Sequence, residues 1–186
     1  LVDEMLLKDV LRNGGLTTFE YQRVSDHAVA VERFGADILQ LTCSSISPCA
    51  DTARTMVNMP VLKIDEPMVD KAIQSGNKIG VAATAVTTLR PTSELILSQA
   101  KKTGKDVTVD PVLCEGAYDA LFAGDLDRHD RIVQATIKSL MEKNDVVLLA
   151  QASMARVAAM IPLNEQSVPI LSSPGLAIEH LKTYLK

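Results

Sequence analysis

Cys43, Cys49 and Cys114 are the side chains with the widest chemical reach in this 186-residue sequence. Their number is odd and no CxxC or CxxH spacing occurs, so neither a disulfide framework nor a zinc site is indicated and all three read as free thiols. A thiolate is both a nucleophile and a usable base. Cys43 has a setting that favours one. It closes the apolar run ADILQLT and precedes a helix expected to start near Pro48, whose N–H groups and dipole attract negative charge. A free cysteine at a strand end can equally be a small core filler. That reading suits Cys114, just before the GAYDAL helix, and Cys49 lies in the helix after the Cys43 loop.

The elements that must position these residues alternate in type. Short β-rich apolar runs fall near 17–21, 36–42, 61–64, 78–83, 107–113, 145–150 and 169–172. Amphipathic helical patterns fall near 1–12, 22–34, 49–58, 67–75, 92–102, 116–123, 128–143, 154–160 and 176–185. This rhythm predicts an α/β fold. ADILQLT and DVVLLA are almost continuously apolar, as parallel strands covered on both faces are, and right-handed crossovers should join them. Gly14-Gly15, Gly35, Gly76 and Gly104 each follow a helical pattern in the manner of C-terminal caps, and residues 127–130 can cap the long helix after them.

A weak internal repeat runs through this pattern. ADILQLTCSS (36–45) and NDVVLLAQAS (144–153) superimpose without gaps, placing Asp37 on Asp145 and Cys43 on Gln151. Each copy is followed by a helix and by a second strand after proline, at Pro60 in MPVLKIDEP and at Pro169 in VPILSSPG. The sequence therefore predicts two half-domains of related build, 1–74 and 75–175, with a closing segment 176–186, carrying the last helix, that could return to the first half. The repeat would set the Cys43 and Gln151 strand ends facing each other across a cleft. Clefts outside the carboxyl ends of parallel strands are where α/β folds bind ligands.

Composition closes off other classes. Apolar residues make up 47% and charged residues 23%, which excludes disorder and fibrous architecture, while 3% aromatics without Trp point to an aliphatic core. A net charge of −4, with no aromatic platform interleaved with Lys or Arg, argues against a nucleic-acid partner. No apolar run reaches the roughly 18 to 20 residues of a membrane span, and the opening LVDEMLLKDVLRNGG reads as an acidic amphipathic helix rather than a signal peptide, so a cytoplasmic protein without a membrane partner is expected. Self-association into a homo-oligomer is left open. His27, His129 and His180 sit in helix patterns, where solvated or capping roles are the default. Asp125, Asp127 and Asp130 lack the glycine and distal glutamate of a calcium loop, and no Gly-rich phosphate loop occurs.

Four segments, LTCSS, KIGVAATAVTTLRPT, CEGAYDALFAGD and DVVLLAQASM, in this order resemble the cofactor-independent aspartate/glutamate/hydantoin racemase superfamily over nearly the whole chain. The resemblance implies two pseudo-symmetric α/β/α half-domains with mostly parallel sheets, an active site in the cleft between them and no cofactor. It also implies that a proton moves at the carbon next to a carboxylate, handled by a cysteine at the end of an equivalent strand in each half. Such a carbon acid is very weak, so the base must be pre-positioned and the developing enediolate hydrogen-bonded. On this resemblance Cys43 is the catalytic residue. Thr84, Ala85, Thr87 and Thr88 are similar to the family's carboxylate-binding loop, in which backbone N–H and hydroxyl donors hold an anion at a helix start. Ser44, Ser45, Ala152 and Ser153, beside the two strand ends, would bind substrate together with Gln151. The implied substrate is a small carboxylate or a hydantoin-like molecule. The family opens with a strand and a ligand-contacting loop before its first helix, and this sequence opens inside what looks like that helix, so one strand and one loop are expected to lie outside it.

Position 151 departs from the family pattern. Gln151 stands where the second cysteine belongs, and an amide cannot exchange protons as a thiol can. Three readings therefore stay open: an isomerase of the racemase type, a one-cysteine lyase or cis–trans isomerase on the same scaffold, such as the arylmalonate decarboxylases and maleate isomerases of this family, and a non-catalytic binder of small carboxylates.

Overall fold

The computed structural model describes residues 1–185, and the chain divides into two compact units, Leu1–Ile64 and a second that begins at Asp65. In the first, helices α1 (Glu4–Asn13) and α2 (Thr18–Arg33) precede strand β1 (Leu39–Leu41), a 3₁₀ turn (Ser44–Ile46), helix α3 (Cys49–Ala53) and strand β2 (Val61–Lys63). β1 and β2 pair in parallel, Leu39 with Val61 and Leu41 with Lys63. Leu6, Val24, Ala28, Leu41, Cys49 and Ala53 form the core beneath them.

Residues 17–21, expected as a strand, begin α2 instead. The Thr17 N–H donates to Glu20 Oε2 at 2.7 Å and the Thr17 hydroxyl lies 2.5 Å from the same oxygen, completing a capping box that fixes a helix start. Thr, Phe and Tyr supply a β-like composition here, and the local hydrogen bonds override it. Asp3 caps α1 and accepts from Arg23 on α2 through both oxygens, at 2.8 and 2.7 Å, which ties the two helices together.

The second unit is a three-layer α/β/α sandwich. Its elements are α4 (Glu66–Ser75), β3 (Lys78–Ala83), α5 (Val86–Lys102), β4 (Thr108–Leu113), α6 (Ala117–Phe122), α7 (Leu126–Met141), β5 (Val146–Leu149), α8 (Ala155–Ala159), β6 (Ile170–Ser172) and α9 (Ser173–Lys182). The sheet is parallel throughout, in the order β4-β3-β5-β6. Strand alternation divides its buried side chains between two cores. Ile79, Val81, Val146 and Leu148 pack with Met68, Val69 and Ile96 on one face, and Ala82, Val147 and Leu149 pack with Val133, Ile137 and Val157 on the other. The unbroken apolar run DVVLLA is thus a strand with helices on both faces, as its composition predicts.

The boundary between units lies after Ile64, not after residue 74. Helix α4 sends Met68, Val69, Ala72 and Ile73 into the second unit's core, and α9, expected as a helix that could return to the first half, packs on α4. Helix α5 starts at Val86 and continues through Pro91, where the sequence predicts a start at 92. Gly14, Gly35 and Gly104 adopt the left-handed conformation of helix caps, but Gly76 is extended. Gly76 is small for another reason: a Cβ there would lie 2.3 Å from Asp145 Cβ. The long helix is capped by Asp125, which accepts from the Arg128 N–H at 3.1 Å, and not from within 127–130. No helix among the described residues is long and apolar enough to cross a membrane.

Candidate active site

Cys43 sits two residues beyond β1 in extended conformation, and its carbonyl accepts the Ile46 N–H at 3.1 Å to open the 3₁₀ turn. It is half-buried, whereas Cys49 and Cys114 are enclosed in the two units' cores. Burial, reinforced by the Glu20 carboxylate, pushes the Cys49 thiol up to about 12. Burial also raises Cys114, against a hydrogen bond with Thr136. Of the three thiols, Cys43 alone can meet a solute without the core opening. A groove of about 590 Å³ in the first unit runs past it, lined by Leu41, Thr42, Cys43, Val24, His27 and Asp3 among others. Ser44 and Ser45 follow Cys43 and are buried. The α-helix expected near Pro48 is only the five residues of α3, and the 3₁₀ turn stands between it and Cys43.

The repeat is present in the backbone of both units. Gln151 lies two residues beyond β5 with φ −126° and ψ 136°, close to the −131° and 117° of Cys43, and it likewise opens a 3₁₀ turn (Ala152–Met154) that leads into a five-residue helix. The Leu39 N–H donates to the Pro60 carbonyl and the Val147 N–H to that of Pro169, each at 2.9 Å, so the second strand of each copy joins in the same register. Cys43 and Gln151 thus occupy equivalent places in their own units. Ala152 and Ser153 are exposed on the turn.

Thr84 directly follows β3, and Ala85 leads into α5 without a side-chain cap. The Gln151 amide oxygen accepts from the Thr84 N–H at 2.5 Å and from the Thr84 hydroxyl at 3.0 Å. Thr84 therefore spends its donors on Gln151, and the donors left in this turn are the Val86 and Thr87 N–H groups, which have no intrahelical partner in a first turn. The Thr87 hydroxyl is buried and accepts and donates no hydrogen bond among the described residues. Thr88 is buried with its N–H turned back to the Ala85 carbonyl at 3.1 Å. Ser173, at the first turn of α9, is a residue that sequence reasoning missed. It is 1% exposed and its hydroxyl too is unpartnered, at the carboxyl end of the same sheet. Its place directly after a strand was the available signal, because ligands of α/β folds bind outside the carboxyl ends of parallel strands.

His129 and Asp130 form a separate cluster. Asp130 accepts from both Arg156 amino groups at 2.6 Å and lies 2.9 Å from His129 Nδ1, so that α8 is pinned to α7. Arg156 first, and then His129, hold the Asp130 carboxyl below its usual range against the opposing effect of burial. His27 contacts Asp3 through Nε2 at 2.7 Å. No group of acidic, histidine and cysteine side chains suited to a metal occurs among the described residues.

The family model for Asp/Glu/hydantoin racemase matches residues 16–181. A comparison with curated proteins finds no match. Among solved structures, a glutamate racemase isoform from Bacillus anthracis aligns with a TM-score of 0.66 at 18% identity over 89% of this chain and 65% of its own. An allantoin racemase from Klebsiella pneumoniae aligns with a TM-score of 0.65 at 20% identity over 89% of this chain and 66% of its own. A glycine-to-cysteine variant of arylmalonate decarboxylase in a sulfate-associated form aligns with a TM-score of 0.58 at 15% identity over 90% of this chain and 75% of its own. The chain thus spans about two thirds of the length of the two racemases. These likenesses bear on the fold, and the family match covers most of the sequence: the chain belongs to the Asp/Glu/hydantoin racemase family.

Proposed function

We propose that this protein is an isomerase of the racemase type that works without a cofactor, moving a proton at the α-carbon of a small carboxylate or hydantoin-like substrate. The observation that carries the reading is the accessibility of Cys43, the one thiol of three outside a core, at the end of a parallel strand in a racemase-family chain. In the proposed step the Cys43 thiolate takes the α-proton and the C–H electron pair passes into the carboxylate as an enediolate; inversion requires the new proton to reach the opposite face, which a water molecule would supply, the hydroxide left behind then taking the proton from the Cys43 thiol. The Val86 and Thr87 N–H groups and the Thr87 hydroxyl would hold the carboxylate, since donors fixed at a helix start need no reorganisation as charge grows on the oxygens. Ser44, Ser45, Ala152 and Ser153 would complete the substrate contacts.

A second reading, a one-thiol lyase or cis–trans isomerase, is favoured by Gln151, which stands at the repeat position of Cys43 and carries no exchangeable acid. Incubating the protein with amino and dicarboxylic acids in deuterated water and following the α-proton by NMR separates the two. Exchange with inversion supports the isomerase, and carbon dioxide loss or isomerisation of a double bond supports the alternative. Either activity should vanish in Cys43→Ser and Cys43→Ala while the far-ultraviolet spectrum and melting temperature stay near those of the parent. Near-full activity in either variant would remove Cys43 from the mechanism.

A further inference from the structure

The Gln151 carboxamide is held in a single orientation. A backbone N–H can only donate, so the amide atom 2.5 Å from the Thr84 nitrogen must be the oxygen, and the Thr84 hydroxyl at 3.0 Å completes its coordination. Flipping the amide would set two donors against each other. The NH2 group is thereby turned away from Thr84. It has no acceptor among the described residues, and it is not among the buried polar atoms that lack partners, so on this half-buried side chain it reaches solvent. Gln151 also lies just beyond the carboxyl end of β5, the direct sheet neighbour of β3, after which the chain turns into α5 and its Thr87 donors.

We propose, resting on the function proposed above, that Gln151 is a specificity-determining residue. Its carbonyl is permanently engaged by Thr84 and its NH2 donates to an oxygen of the substrate. The strand end of the second unit then binds charge where its counterpart in the first unit carries a thiol, and no proton is transferred there. Substrates with an oxygen acceptor near the reacting carbon are selected. A neutral, apolar group at that position would leave the amide NH2 unpaired and is selected against, as sites built around a hydrogen bond reject partners lacking it.

Inorganic sulfate is a suitable probe because it remains a dianion from about pH 8 down to about pH 4, through the titration range of a glutamate. Sulfate titrated into the parent protein should shift the Val86 and Thr87 amide resonances. In Gln151→Glu one carboxylate oxygen can still accept from Thr84, but the other presents a negative acceptor in place of the donor. Sulfate affinity relative to the parent at the same pH should fall at least about tenfold near pH 8 and recover as the pH falls through about 4, where the protonated carboxyl again offers a donor. In Gln151→Met it should be weak at both values. Charge repulsion alone would also relax in the Glu variant as it protonates, but it would leave Gln151→Met near the parent, so weak binding in the Met variant is what marks a donor role and near-parent affinity there would overturn it. Affinity in Gln151→Glu and Gln151→Met within about twofold of the parent at both pH values, with the parent amides responding normally, would overturn this proposal and leave the carboxylate turn standing. No response to sulfate in the parent would count against the turn and this proposal together. Should Gln151→Glu not fold, the Met variant and Thr84→Val decide: the latter loosens the amide by removing one of its two donors and should cost several-fold in affinity, and unchanged affinity in both variants overturns the proposal.

Discussion

At Cys49 and Cys114 the sulfur is closed off by aliphatic side chains, and removing water from around a thiol disfavours the thiolate, which is the form that reacts. The Glu20 carboxylate adds to this at Cys49, whose thiol stands at about 12. Iodoacetamide near pH 8 should therefore label Cys43 first, with Cys49 and Cys114 reacting at least about a hundredfold more slowly and only as the cores open. Peptide mapping by mass spectrometry during the reaction checks this, and equal labelling of all three would contradict it. Cys43 was legible in the sequence because it ends a continuous apolar run. The exclusion of Cys49 was less so, since its helical position said nothing of depth. The Gln151–Thr84 contact could not be read at all, because it joins residues 67 apart through the pairing of two strands. It also changes the role open to Thr84, whose N–H and hydroxyl serve Gln151, while the buried Thr87 hydroxyl has no hydrogen-bond partner among the described residues.

At the level of elements, the internal repeat had more physical content than a likeness of letters. Its two copies share backbone angles at Cys43 and Gln151, a following 3₁₀ turn and the same first ladder bond to a proline carbonyl. Period-two alternation and continuous apolar runs fix such strands, and these signals survive weak sequence likeness. Element starts set by side-chain hydrogen bonds were harder to see, as the capping box at Thr17 and the Asp125 cap show. Gly76 illustrates a third kind of signal. Glycine after a helix suggests a left-handed cap, but here it makes room for Asp145, whose carboxylate accepts the Asn77 and Lys78 N–H groups at 2.9 and 2.8 Å and aligns the start of β3 with that of β5. Gly76→Ala should lower the melting temperature by several degrees even though any residue can adopt its φ of −178°, because the obstructing atom is a Cβ fixed to the backbone and not a mobile tip. Thermal unfolding of Gly76→Ala beside the control Gly15→Ala, which has nothing within 4 Å of its added Cβ, measures this. Equal melting temperatures would show that β5 yields to the new methyl group.

Across the whole chain the two units differ in how completely their strands are enclosed. β3 is hydrogen-bonded to β4 on one side and β5 on the other, and its buried residues are covered by helices from both faces. β1 has β2 as its one neighbour among the described residues, in a two-stranded parallel ladder three residues long. Parallel pairing is the weaker kind per residue and depends on enclosure, so a short open pair should open at a lower free energy than a central strand with a core on each face. Native-state hydrogen exchange should accordingly find the amides of Ile79, Val81, Val147 and Leu148 the slowest in the chain. Those of Leu39 and Leu41 should exchange at least about a hundredfold faster, a gap of about 2.7 kcal/mol in opening free energy. The consequence for chemistry is specific. Cys43 is held by the more labile unit and Gln151 and Thr84 by the more rigid one, so an anion bound at the α5 turn should slow exchange around Thr84 and Val86 without protecting Leu39 or Leu41, whereas a substrate engaging the thiol should protect β1 as well. Equal protection of β1 and β3 in the free protein would show that the two-stranded ladder is as well enclosed as the sandwich, and the lability assigned to the unit that holds Cys43 would be withdrawn.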